Sequence, residues 1–230
     1  MGKWSQAGWW YYFPLAFFFK SPLAFVIMVA AGAAVFIRQW KSAGPLGKAP
    51  WLAAAVFMLT AMTSHVNIGV RHLLPIFPLL CVGIGCAVAR LGGRKARAAT
   101  FVLLTWQAIV VIAAYPLYIQ SFTEAVGGAE NGYKYLVDSN FDWGQDANRL
   151  KRFLDERGIQ HIYLDYFGTQ FSIEHLRIPN TRVNADQAKQ IRQGCLVVST
   201  SELMRPEWAW LRASRQPTAR VAHTLFVYQI

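Results

Sequence analysis

The run AATFVLLTWQAIVVIAAY, residues 98–115, contains no charged side chain and ends at the dipeptide Tyr115-Pro116. The first carboxylate of the chain, Glu124, appears only beyond it. All 12 acidic residues lie between Glu124 and Glu207, whereas residues 1–123 carry 10 of the 23 Lys and Arg. An anionic side chain in hydrocarbon costs about 3 kcal/mol, so a long acid-free, apolar half is what a bilayer selects. The stretch therefore divides two chemistries, lipid-facing before it and water-facing after it.

Outward from that run, 54% of the chain is apolar, against about 45–50% in soluble proteins. The net charge of +11 comes almost wholly from the first half, because beyond residue 123 basic and acidic residues nearly balance. A nucleic-acid reader would show a basic stripe in its soluble part, and no nucleic-acid partner is expected.

Three further apolar runs, Pro22–Ile37, Trp51–Ser64 and Leu73–Ala89, precede Ala98–Tyr115. A span needs about 20 residues, which each reaches with its flanks, so about four transmembrane helices are predicted. The alternative is three spans, with the second and third runs forming a re-entrant pair around Arg71. Arg38, Lys41 and Lys48 follow the first run, and Arg90, Arg94, Lys95 and Arg97 follow the third. The positive-inside rule places those loops in the cytoplasm. The N-terminus and the second half then face the periplasm or exterior, as in a multi-pass protein of a bacterial inner membrane.

Met1–Lys20 has no small-residue cleavage site, and Trp9, Trp10, Tyr11, Tyr12 and Phe13 before Pro14 read as an interfacial aromatic belt, with a ligand-stacking platform as the alternative. The chain reads as the rear portion of something longer. The expected organisation is an aromatic interfacial segment (1–20), a transmembrane domain (21–118) and a soluble periplasmic α/β domain (119–230).

In that last domain the period changes. Strands are predicted at Tyr133–Asp138, His161–Tyr166, Cys195–Thr200 and Val221–Tyr228. Helices are predicted at Trp143–Arg157, stopped by Gly158, from a box of Asn184 and Gln187 to Gln193, and after Pro206 to about Ala213. Alternation of this kind predicts a small, mainly parallel sheet flanked by helices.

Two constellations could carry chemistry. His65, Asn67, Arg71 and His72 surround the turn between the second and third runs, where a guanidinium would clamp a lipid phosphate by paired charge-assisted hydrogen bonds. The competing reading has Arg71 and His72 snorkelling to ordinary head groups. The second comprises Asp138, Asn140, Asp142, Trp143 and Asp146. It fails as a calcium loop because Trp143 and Arg149 stand where Gly and Glu are needed. Asp142 reads as a helix N-cap with Gln145 reaching back, or the group lies at the end of a strand in the crevice where open α/β sheets bind sugars or dock domains. No nucleotide fingerprint, metal spacing or cofactor motif occurs, and Cys81, Cys86 and Cys195 are not placed to pair.

Three runs carry a resemblance: GWWYYFPL at 8–15, NIGVRHLLPIFP at 67–78 and YLVDSNFDWGQD at 135–146. In this order they resemble the C-terminal half of bacterial glycosyltransferase family 39-like proteins, GT-C membrane enzymes related to protein mannosyltransferases. The resemblance implies a polyprenyl-phosphate sugar donor at the periplasmic face, and an essential acid in an N-terminal half that has no counterpart here. With no carboxylate in residues 1–123, a general base would have to come from the soluble domain or another chain. Two readings follow. The chain is the rear part of a split polyprenyl-phosphate-dependent glycosyltransferase, with Arg71 and His72 on the carrier phosphate, or it is a non-catalytic subunit on a larger respiratory or photosynthetic membrane complex.

Overall fold

The computed structural model describes residues 8–67 and 69–230. The first seven residues of the predicted interfacial segment, and Ile68 of the second resembling run, lie outside the described residues. The chain divides into two compact units, one running to Gly128 and the other Ala129–Ile230.

Among the described residues the first unit has five α-helices: α1 (Tyr12–Lys20), α2 (Leu23–Arg38), α3 (Pro45–Met62), α4 (Ile76–Leu91) and α5 (Gly93–Ala113). Each of the four apolar runs forms one of the last four. The aromatic segment from Tyr12 is itself helical, because its residues pack rather than merely border an interface: Phe13 and Ala16 are buried. Helix α5 starts five residues before Ala98, so Arg94, Lys95 and Arg97 ride on its first turns instead of a loop; the sharp break is left to Gly92 at φ 57°.

By length and composition α3 and α5 are able to cross a membrane, while α2 and α4 are shorter apolar helices. Only 22% of the apolar window of α3 is buried and none of α5, unlike the core helix of a soluble protein. Apolar faces turned outward in this way suit a lipid surrounding.

Packing in this unit turns on Trp51 of α3. A Cβ on Gly32 of α2 would stand 3.0 Å from the Trp51 ring, and one on Gly83 of α4 would stand 2.7 Å from it. The two glycines are notches that admit the indole, and Phe36 stacks on it at 5.7 Å and 18°. A ladder of Phe17, Phe25 and Phe77 follows, with centroids 5.4–6.2 Å apart.

Residues 119–124 are tied to the start of the bundle. Lys20 Nζ donates to the carbonyls of Ile119 and Ser121, each at 2.7 Å, and the Thr123 amide donates to Phe19 O at 2.8 Å. Leu23 N donates to Glu124 Oε2 at 3.0 Å, which puts a carboxylate at the positive end of α2.

The second unit is a five-stranded sheet in the order β2-β1-β3-β5-β4: β1 (Ile162–Asp165), β2 (Asn180–Arg182), β3 (Cys195–Ser199), β4 (Ala219–Val221) and β5 (Leu225–Gln229). Strand β1 pairs parallel with β2 and β3, whereas β5 is antiparallel to both β3 and β4. The expectation of a mainly parallel sheet is corrected: the sheet is mixed. Connecting helices are α6 (Gly128–Gly132), α7 (Ala147–Glu156), α8 (Gln170–His175), α9 (Ala185–Ala188), α10 (Thr200–Leu203) and α11 (Ala209–Ser214). One face buries Ile162, Leu164 and Val197 against Leu150 and Leu154 of α7. The other buries Leu196, Val198 and Phe226 against Trp208 and Leu211.

Several expectations change here. Tyr133–Asp138 is not a strand; the Leu136 amide folds back to Gly132 O, and Tyr133 instead sets its ring edge-on to Phe226 of β5 at 5.3 Å. Val221–Tyr228 is two strands, because Ala222 and His223 take left-handed conformations (φ 51° and 63°) and reverse the chain. Strand β2 and helix α8, with no periodic apolar pattern of their own, were not foreseen. The helix after Asn184 ends at Ala188, short of Gln193, yet its capping box forms in full: Asn184 Oδ1 accepts from the Gln187 amide at 2.9 Å, and Gln187 Oε1 accepts from the Asn184 amide at 2.9 Å.

Trp51→Ala empties the glycine-lined notch and is expected to lower the stability of the first unit by about 3–5 kcal/mol. Gly83→Val, which drives a side chain into the same ring, is expected to lower it as well. Thermal unfolding of the detergent-solubilised chain checks both.

Candidate functional site

The four residues of the first constellation lie together on the turn between α3 and α4, which continues as a 3-10 turn, Val70–Leu73. His65, Arg71 and His72 are exposed, and Leu73 is fully buried beneath them. The aromatic segment packs against this turn: a Cβ on Gly8 would meet His65 O at 2.8 Å, and Asn67 Nδ2 donates to Trp9 O at 3.5 Å. Two of the three resembling runs are therefore one surface. The Asn67 Oδ1 is buried and has no hydrogen-bond partner among the described residues.

Below the turn an apolar groove of about 630 Å³ runs along α3. Phe13, Leu52, Val56 and Phe57 wall it, and Thr60, Ser64 and His72 stand at its polar end. Leu52 to Thr60 is eight residues of helix, about 12 Å. The ring of His72 meets Phe13 edge-on at 6.4 Å, which holds the imidazole at the mouth. The volume lies in the range of small-molecule sites, about 300–1,000 Å³. An apolar trough ending in an imidazole and two hydroxyls, with the exposed Arg71 adjacent to His72 in the chain, can take a hydrocarbon chain with an anionic head.

The second constellation does not behave as the sequence suggests. Asp142 is no N-cap: α7 begins at Ala147, with Asp146 preceding it and making no side-chain cap. Local side chains have captured the backbone instead. Asp142 Oδ1 accepts from Gly144 N at 2.9 Å, and Gln145 accepts from Trp143 N while donating to Phe141 O. Nor does Asp138 end a strand. The 138–146 loop lies across the carboxyl ends of β1 and β3: the Asp138 amide donates to Ser201 Oγ at 3.0 Å, and Tyr166 donates its hydroxyl to Gly144 O. A Cβ on Gly168 would stand 2.8 Å from Gly144 Cα, so only glycines let the two backbones meet.

Within this loop the five residues separate by burial. Asn140, Asp142 and Asp146 are buried, and Asp138 and Trp143 are exposed, the latter with its indole N–H held by Ser139 O at 2.9 Å. Asp146 Oδ2 accepts from Thr224 Oγ1 at 2.7 Å and Oδ1 from Arg149 at 2.5 Å. Burial, and then the charges of Asp146 and Glu202, push Asp142 up to about 7 against the opposing hydrogen bond from Gly144. Its Oδ2 has no partner of ordinary geometry among the described residues, the Ser201 amide exerting only a weaker pull. Burial likewise raises Asp165, which accepts from the Trp208 indole at 2.8 Å, and Glu202. Tyr166 is raised by burial and by Asp142 and Asp146.

Sequence reasoning missed Tyr166, Ser199, Ser201, Glu202 and Thr224. The one signal for part of this set is Ser199-Thr200-Ser201 directly after an apolar strand, where carboxyl-end loops collect polar groups. Among the described residues no three His, Cys, Asp or Glu stand where they would hold a metal ion. All three cysteines are free thiols. No family model, curated protein or solved structure matches the chain.

Asp146→Ala strands the Thr224 hydroxyl and Arg149 and is expected to cost about 1–3 kcal/mol, whereas Asp138→Asn is expected to stay within about 0.5 kcal/mol. Denaturant unfolding of the full chain distinguishes the two.

Proposed function

We propose that this chain is a GT-C-like membrane protein that holds a polyprenyl-phosphate carrier, the tail in the groove along α3 and the phosphate at Arg71 and His72. In this reading α2 to α5 are four membrane spans. The 65–72 turn and the second unit face the periplasm of a bacterial inner membrane. The observation that carries it is the groove, whose hydrocarbon-lined trough ends at His72 of one resembling run, the residue after Arg71, and is walled by Phe13 of another. His65 and Asn67 complete the turn that presents them.

The chain acts as the rear part of a sugar transferase and needs another chain for the catalytic acid. Residues up to Gly128 contain one carboxylate, Glu124, and one of its oxygens already accepts from the first amide of α2. With the 138–146 loop seated, Asp142 and Asp146 are buried within the second unit. A general base must be able to reach its acceptor's proton, and neither position offers that.

A second reading draws on α5, a 21-residue helix with no buried residue. Its surface would serve a non-catalytic subunit packed on a larger membrane complex.

In nanodiscs, the chain is expected to bind a long-chain polyprenyl phosphate more tightly than the matching polyprenol. Arg71→Ala is expected to weaken that binding by about 2 kcal/mol, roughly thirtyfold in Kd. Equal affinity for phosphate and alcohol, or no effect of the substitution, would leave the subunit reading in place.

A further inference from the structure

The carboxyl ends of β1 and β3 form the point where the sheet's connections diverge, β1 leading to β2 on one side and β3 lying on the other. In open α/β sheets that crevice is where ligands enter. Here the chain's own 138–146 loop occupies it, seated by a glycine-to-glycine backbone contact at Gly144 and Gly168 and by the Tyr166 hydroxyl. Asp142, 1% exposed, sits at the centre of that seat with one oxygen short of a partner.

The charges around it are of one sign. Asp146 approaches from the loop itself, with Arg149 of α7 on its far oxygen, and Glu202 approaches from α10, paired to Arg205 at 3.1 Å. Tyr166, from the end of β1, is the other titratable neighbour. Both cations are engaged by the neighbouring carboxylates rather than by Asp142.

We propose that the 138–146 loop is a lid on the carboxyl ends of β1 and β3, closed while Asp142 is neutral and released when Asp142 ionises. A neutral carboxyl tolerates the dry seat. An ionised one is repelled by Asp146 and Glu202 and regains water only by lifting out. The direction follows from linkage. Asp142 is raised to about 7 from an ordinary 3.8, so its stabilisation of the closed lid is complete below about 4 and is lost as pH rises through about 7. Release uncovers the crevice together with Ser199 and Ser201, which now bond to Phe167 N and Asp138 N.

Hydrogen exchange of the 139–146 amides, in the full chain and corrected for the intrinsic effect of pH, tests this. From pH 5 to 7 the wild-type loop is expected to lose protection by up to about tenfold per pH unit and then level off. Asp142→Asn, a mimic of the neutral acid whose Oδ1 can still accept from Gly144, is expected to stay protected throughout. Glu202→Gln, which removes one repelling charge and so lowers the Asp142 pKa in the closed loop, is expected to level off at lower pH with a smaller total loss of protection. A wild-type profile parallel to that of Asp142→Asn overturns the proposal. If Asp142→Asn does not fold, an unmoved profile in Glu202→Gln overturns it equally.

Discussion

A carboxylate taken out of water must find hydrogen-bond donors or give up its charge, and this constraint organises both units. The first 123 residues meet it by having no carboxylate at all. The single one in the first unit, Glu124, is placed at the start of α2, where the helix offers an unsatisfied amide. The second unit meets the constraint differently: Asp146 is buried with Thr224 and Arg149 on its oxygens, and Asp142 is buried with donors for only one.

These placements separate the two candidate sites in kind. The groove along α3 is open and apolar, with the exposed His72 at its polar end and no acid in its lining. The crevice of the second unit carries the acids, but the 138–146 loop fills it with its own backbone and buries the side chains that looked most like a site. Tight packing at Gly144 and Gly168 leaves no room for a ligand while that loop is seated.

The first unit was legible because its signals are long. Each apolar run exceeds three helical turns, and nothing in it competes with helix formation, so Pro22–Ile37 and Ala98–Tyr115 reappear as α2 and α5 with shifts at their ends. Local signals of complete motifs were legible too: the box of Asn184 and Gln187 needs only residues three apart, and it forms. Reading failed where a side chain had two partners to choose from. Asp142 has the composition of an N-cap, but Gly144 and Gln145 captured its loop first, and α7 starts later. Tyr133–Asp138 alternates like a strand, yet its aromatic ring covers β5 instead of joining the sheet.

The sequence by itself determined where charge is permitted, that its four long apolar runs become helices and that strands alternate with helices after residue 124, because these depend on composition and on contacts within a few residues. Only the tertiary structure decided the mixed pairing of the sheet, the notch of Gly32 and Gly83 around Trp51, the groove that brings Phe13 to His72, and the seat of Asp142 beside Glu202. Apart from the β4–β5 hairpin, each of those joins residues eighteen or more positions apart, and such pairings are set by which surfaces fit once the local elements exist.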